Sequence, residues 1–218
     1  MAGGAPHARP RPARRRRPAR ARPPVIPRPP LALASASPRR LDLLTRIGIA
    51  PDRVVATDID ESPRKAELPR QLAARLAAAK AEAAAALAPG HVILAADTVV
   101  GVGRRILGKP EGRDEARRFL GLLSGRRHRV TTGLALRLPD GTVRSRLVET
   151  QVAFQRLLPA QIDAYLDTGE WQGKAGGYAI QGRAEMFVRF LSGSHSNVVG
   201  LPLFETAQLL RGIHWLRP

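Results

Sequence analysis

Two adjacent arginines, Arg39 and Arg40, close the stretch SASPRR, which spans residues 35–40 and opens a predicted helix. The first turn of a helix exposes unpaired N–H groups and carries partial positive charge. Two cations there cost stability unless an anion offsets them, and guanidinium groups suit bidentate contacts to phosphate. The pair therefore points to a polyanion bound at the start of the helix, with Ser35 and Ser37 beside it. The plain alternative is a strand–cap–helix junction with solvated arginines. No G-x-x-x-x-G-K-[ST] run occurs, so a phosphate site here is not a Walker loop.

Asp97 interrupts the apolar run HVILAADTVV of residues 91–100. A carboxylate at the end of a buried strand must be paired, hydrogen-bonded or metal-bound, because an isolated buried charge is very costly; a simple capping role is the alternative. Glu61, on the acidic exit of an earlier strand, could add a second oxygen ligand, and Asp58 and Asp60 compete for that place. Mg²⁺ needs only one or two protein carboxylates when substrate phosphates complete its shell. The chain has only four lysines, Lys65, Lys80, Lys109 and Lys174, in a sequence that otherwise writes its cations as arginine. Lys109 lies in the turn LGKP and Lys174 in the glycine-rich GKAGGYAIQG, whose Gln181 carries both a donor and an acceptor suited to a base edge. Arginines, lysines and carboxylates without a cysteine fit metal-assisted attack of water on a phosphoanhydride better than acyl transfer.

Composition narrows the partners. The 218 residues are 44% hydrophobic, enough to bury a core as one domain or two closely fused lobes. The absence of cysteine excludes disulfides and thiolate metal sites and suits a reducing, cytoplasmic setting. Five histidines are scattered without metal-site spacing, so any bound metal should be a hard cation such as Mg²⁺ or Mn²⁺. No apolar stretch is long enough to span a bilayer. The net charge of +18 suggests nucleic acid, but subtracting the nine arginines of residues 1–30 leaves 27 basic against 18 acidic residues. Aromatic residues make up only 4%, too few for a stacking platform on single strands. Residues 1–30, rich in Pro, Arg and Ala, are expected to be a disordered extension, and residues 31–218 the functional domain.

These groups need a scaffold. Residues 30–35 read as a buried strand and 38–47 as a helix with Leu41, Leu44 and Ile47 inward. Pro38 is suited to the first helical position and Ser37 to the cap. Residues 53–61 alternate like a strand, 68–87 form an alanine-rich helix, and 91–100 a central strand buried on both faces. A helix over 114–125 precedes two long strands over 127–157, joined in a hairpin at residues 139–141. A helix over 159–169, a strand over 186–191 and a last helix to about residue 210 complete a mixed sheet flanked by helices.

Read in order, LASASPRR, DIDESP, RLAAAKA, AADTVV, ILGKP, SGRRHRVTTG, GKAGGYAIQG and NVVGLPL resemble the Maf family of nucleoside triphosphate pyrophosphatases over roughly residues 31–211. The resemblance implies an α/β fold with a strongly twisted mixed sheet and two lobes around a central cleft. It implies hydrolysis of a nucleoside triphosphate between its α and β phosphates with a divalent cation. By motif, Asp97 would accept the proton of water and share the metal with Glu61. Arg39, Arg40, Lys80 and Lys109 would hold the triphosphate near Ser35 and Ser37, while Arg39, Thr98 and Gln181 lie where members differ in base preference. AADTVV with AIQG resembles the branch acting on dTTP and UTP. Specificity for 7-methyl-GTP and a nucleotide-binding role in cell division are the alternatives, and a homodimer is compatible with either. Ala79 and Gly173 depart from the family in standing where acids are common.

Overall fold

The computed structural model describes residues 28–216, together with Met1 and Gly3. The extension expected over residues 1–30 lies almost wholly outside them. Its last residues pack: the Arg28 guanidinium sits 4.1 Å over the Trp215 ring, and the Pro29 carbonyl accepts the Trp215 indole N–H at 2.8 Å.

The chain runs β1 (Leu31–Ala34), α1 (Pro38–Arg46), β2 (Arg53–Val55), α2 (Pro69–Leu87), β3 (Val92–Val102), β4 (Arg105–Leu107) and α3 (Arg113–Leu123). It continues with β5 (Arg127–Arg137), β6 (Val143–Phe154), α4 (Pro159–Leu166), β7 (Val188–Ser192), α5 (His195–Val199) and α6 (Leu203–Gly212). The strands form one mixed seven-stranded sheet in the order β2-β1-β3-β5-β6-β7, with β4 paired to β3. β1 is parallel to both β2 and β3, whereas β3, β5, β6 and β7 are antiparallel in succession. Strand order thus reverses at β1, which creates a crevice outside its carboxyl end. Among the described residues, no helix is long and apolar enough to cross a membrane.

Alternation along β1 and β3 divides the core between two faces. Leu31, Leu33, Val92 and Leu94 pack with Leu43 and Leu44 of α1, Leu120 and Leu123 of α3, and Leu209 and Leu210 of α6. Ala32, Ala34, Ile93 and Ala95 face Ala77, Ala81 and Ala84 of α2. The alanine stripe lets α2 lie unusually close to the sheet. A Cβ added at Gly133 of β5 would stand 2.2 Å from the Ala73 carbonyl oxygen of α2.

Four expectations shift. β2 ends at Val55, not at residue 61, because its partner β1 ends at Ala34, opposite Val55, and leaves nothing to pair with beyond it. Asp97 does not end its strand: β5 carries β3 on through Gly101, so Asp97 sits mid-strand, opposite Gly133. Ile47 is exposed as the C-cap of α1, and Leu43 takes the inward place. β7 begins at Val188, because Arg183–Phe187 forms a 3-10 turn that leaves Met186 exposed.

Behind the sheet, His128 is buried edge-on to Phe154 and Tyr178, with Nε2 2.8 Å from the Tyr178 hydroxyl. Among the described residues its Nδ1 has no hydrogen-bond partner. Burial lowers the imidazole from 6.5 to about 4. Between these values the unfolded chain binds a proton that the folded chain does not. The contribution of His128 to stability is therefore present above pH 6.5 and is lost as the pH drops toward 4.

Two measurements check this packing. In urea unfolding, wild type should lose roughly 3 kcal/mol more than His128→Gln between pH 6.5 and 4; equal slopes would contradict the buried neutral imidazole. Gly133→Ala should lower stability by about 1–3 kcal/mol through overpacking against the α2 backbone, and an unchanged urea midpoint would show that α2 does not lie so close.

Candidate active site

The crevice at the end of β1 opens into a cleft of about 380 Å³. Its lining comes from the β1–α1 junction, the segment between β2 and α2, Lys80 of α2, the β3 strand where it outruns β1, the turn after β4, the glycine-rich loop that follows α4 and the end of α5. Ser35, Ser37, Arg39, Arg40, Glu61, Lys80, Asp97, Thr98, Lys109 and Gln181 all line it, and Lys174 joins them. Asp58 and Asp60 do not: Asp58 is exposed, and Asp60 accepts the Ser62 N–H at 2.9 Å outside the cleft. Of the three acids that spacing left open, Glu61 is the one that lines the cleft.

An ion chain lies along one wall. Asp97 points to the α2 side of the sheet, where the Lys80 ammonium is 2.5 Å from its Oδ1 and 2.6 Å from Glu61 Oε1. Lys109, in the turn after β4, lies 2.8 Å from Glu61 Oε2. Asp97 and Lys80 are both 7% exposed, which makes this a buried pair; the Lys109 side chain is 60% exposed. Partial burial would raise the Glu61 carboxyl, but hydrogen bonds and charge from Lys109 and Lys80 override it and lower the group to about 2. Asp97 lines the cleft, with one carboxylate oxygen tied to Lys80; among the described residues its Oδ2 has no hydrogen-bond partner.

The opposite wall holds the arginines. Ser37 occupies the N-cap position of α1 with Pro38 following, but its hydroxyl makes no capping bond. Its N–H instead donates to Ser35 Oγ at 3.1 Å. Arg40 is not the solvated side chain of a plain junction. Its Nε donates to the Gly200 carbonyl at 2.9 Å and one terminal nitrogen to Ser35 Oγ at 3.2 Å. Burial lowers the Arg40 guanidinium from its usual value; Asp97 and Glu61 oppose that shift and Arg39 adds to it. Arg39 makes no hydrogen bond or ion pair among the described residues, and burial lowers it as well. One arginine is thus fixed and the other is unengaged at the cleft. Thr98, on the face of β3 away from Asp97, meets Thr132 Oγ1 at 2.9 Å.

The glycine-rich loop forms the third wall. Gly176 adopts φ 72°, packs on Val100 and donates its N–H to the Gly108 carbonyl at 2.9 Å, tying this loop to the turn that carries Lys109. Lys174 donates to the Gln172 carbonyl at 3.0 Å, and burial lowers its pKa. Two contributors escaped the sequence reading. Gly200, at φ 135°, offers the carbonyl that fixes Arg40, and NVVGLPL carried no chemical signal for it. Thr57 lines the cleft just past β2 without any signal.

The donor set bears on a metal. Glu61 and Asp97 already converge on one compact cation, the Lys80 ammonium, and offer only carboxylate oxygens. The described residues contain no cluster of three or more His, Cys, Asp or Glu side chains. Two hard donors fit a divalent cation that takes its remaining ligands from phosphate and water.

With this geometry in place, likeness to known proteins can be weighed. A dTTP/UTP pyrophosphatase of Novosphingobium aromaticivorans is 64% identical over 181 residues, covering 83% of this chain and 90% of that protein. One of Sphingopyxis alaskensis is 62% identical over 183 residues, covering 84% and 96%, and one of Caulobacter vibrioides is 57% identical, covering 84% and 95%. A solved nucleoside-triphosphatase / dITP/XTP pyrophosphatase from Mycobacterium abscessus overlaps 64% of this chain and 93% of its own at 17% identity, with a TM-score of only 0.40. The Maf-like protein family model matches residues 30–213, the whole sheet with its helices and every wall of the cleft, and the chain belongs to that family.

Proposed function

We propose that this protein hydrolyses dTTP and UTP at the α–β phosphoanhydride, giving a nucleoside monophosphate and pyrophosphate. The observation that carries the reading is a buried, lysine-paired Asp97, with one carboxylate oxygen unpartnered among the described residues, lining one cleft together with Arg39 and Arg40. The names of the relatives support both the reaction and the pyrimidine preference. A cytoplasmic setting, which suits a cysteine-free chain, goes with it.

In this mechanism the triphosphate lies between the arginine wall and the lysine chain. Arg40, already oriented by Gly200 and Ser35, and the unengaged Arg39 contact phosphate oxygens. Lys109, the most exposed member of the chain, turns from Glu61 to the phosphate tail. Lys80 stays on Asp97 Oδ1, which leaves Oδ2 to take a proton from water. The water oxygen bonds to the α phosphorus, the bond to the bridging oxygen breaks, and pyrophosphate departs with the electron pair. Glu61 and Asp97 would hold Mg²⁺ or Mn²⁺, which when bound would neutralise charge on the phosphate oxygens.

Pyrophosphate release from a nucleotide panel with Mg²⁺ or Mn²⁺ tests the reading, and dTTP and UTP should be the best substrates. Asp97→Asn should lower kcat by about 10²–10⁴-fold, the usual worth of a general base, while the Kd for a non-hydrolysable dUTP analogue stays within about threefold. Near wild-type turnover would place the base elsewhere. Lys109→Ala removes one charged contact to phosphate and should raise KM about tenfold; unchanged KM and kcat would remove it from the cradle.

A further inference from the structure

Beyond Gln181 the cleft continues into a shallower recess, and this recess holds a carboxylate that the hydrolytic chemistry does not use. Pro38, Arg39, Lys174 and Gln181 line both spaces; Asp97 and Lys80 line only the cleft, and Glu170 lines only the recess. Glu170 is held from several sides. Its backbone N–H donates to Thr168 Oγ1 at 3.1 Å, and its Oε2 accepts the Arg183 N–H at 2.8 Å. Gly182 leaves the space the carboxylate needs: a Cβ there would stand 2.2 Å from Oε2 and 2.9 Å from the carboxyl carbon. Lys174 and Arg39 border the recess without an ion pair to Glu170. Among the described residues, Oε1 has no hydrogen-bond partner. An acceptor oxygen without a partner thus stands in the recess that Gln181 also lines, outside the space lined by Asp97 and Lys80.

With the phosphate tail at Asp97 and Lys109, the base of the nucleotide extends toward this recess. Uracil and thymine present an acceptor–donor–acceptor edge: a carbonyl, the N3–H and a second carbonyl. Cytosine presents a lone pair at N3, which a carboxylate repels. We propose that Glu170 is a specificity-determining residue whose free carboxylate oxygen accepts the N3–H of uracil or thymine, while the Gln181 amide donates to a flanking carbonyl. The proposal rests on the reading of the cleft as a dTTP/UTP site. It separates uracil from cytosine and leaves the exclusion of purines to shape. A prepositioned acceptor of this kind discriminates because the wrong base leaves it unpaired.

Two measurements of kcat/KM test it. Wild type should use N3-methyl-UTP at least about tenfold less well than UTP, since each lost hydrogen bond to a charged group is worth a factor of that order; equal use overturns the proposal. Glu170→Gln keeps a carbonyl oxygen for the Arg183 N–H and turns the free acceptor into a donor. It should lower the UTP:CTP ratio by about tenfold or more on the same grounds. If UTP and CTP fall by the same factor, Glu170 is only a structural anchor and the proposal fails alone. If wild type hydrolyses neither dTTP nor UTP, the reading of the cleft fails and takes the proposal with it.

Discussion

A buried aspartate can keep its charge only if a cation is buried with it, and the contact between Lys80 and Asp97 meets that condition here. Removing one partner from such a pair typically costs about 3–5 kcal/mol, because the other charge is left uncompensated. Much of the surrounding architecture serves to bring the two together. α2 must approach the sheet closely enough for a lysine on its inner face to reach β3, and it does so through a stripe of alanines. Gly133, the cross-strand neighbour of Asp97, lies under the α2 backbone at Ala73. The same glycine therefore relates the spacing of helix and sheet to the position of Asp97.

The charges of the cleft divide by mobility. Arg40 is anchored by a serine hydroxyl and a backbone carbonyl, and Lys80 by two carboxylates, so both present a fixed field to an incoming polyanion. Arg39 and Lys109 are freer to move and can close on a ligand without first breaking a buried contact. Preset dipoles and charges stabilise charge development without reorganising during the reaction, while exposed pairs such as Lys109–Glu61 cost little to exchange. The bond from Gly176 to Gly108 joins the loop bearing Lys174 and Gln181 to the turn bearing Lys109.

Much of this was legible in the sequence, and for local reasons. Pro38 and the apolar spacing set α1, the alanine run set α2, and the turn at residues 139–141 set the β5–β6 hairpin. Asp97 stood out because a lone acid in a buried strand needs a partner. What remained hidden depends on the neighbour in space. The length of β2 follows from where β1 stops, and the place of Asp97 in mid-strand follows from pairing with β5, both long-range facts. The short helix α5 and the Gly200 carbonyl gave no periodic signal. Spacing alone left Glu61, Asp58 and Asp60 open, and the convergence of two lysines on Glu61 is a long-range contact that spacing does not encode.

In the proposed mechanism a phosphate chain lies between the arginine wall and the Lys80–Asp97 pair. A crystal structure with the α,β-imido analogue of dUTP would reveal where that chain binds. The phosphates should contact Arg39, Arg40 and Lys109, with the bridging α–β group facing Asp97 Oδ2. Phosphates bound outside the cleft, or an α–β bridge turned away from Asp97, would contradict it.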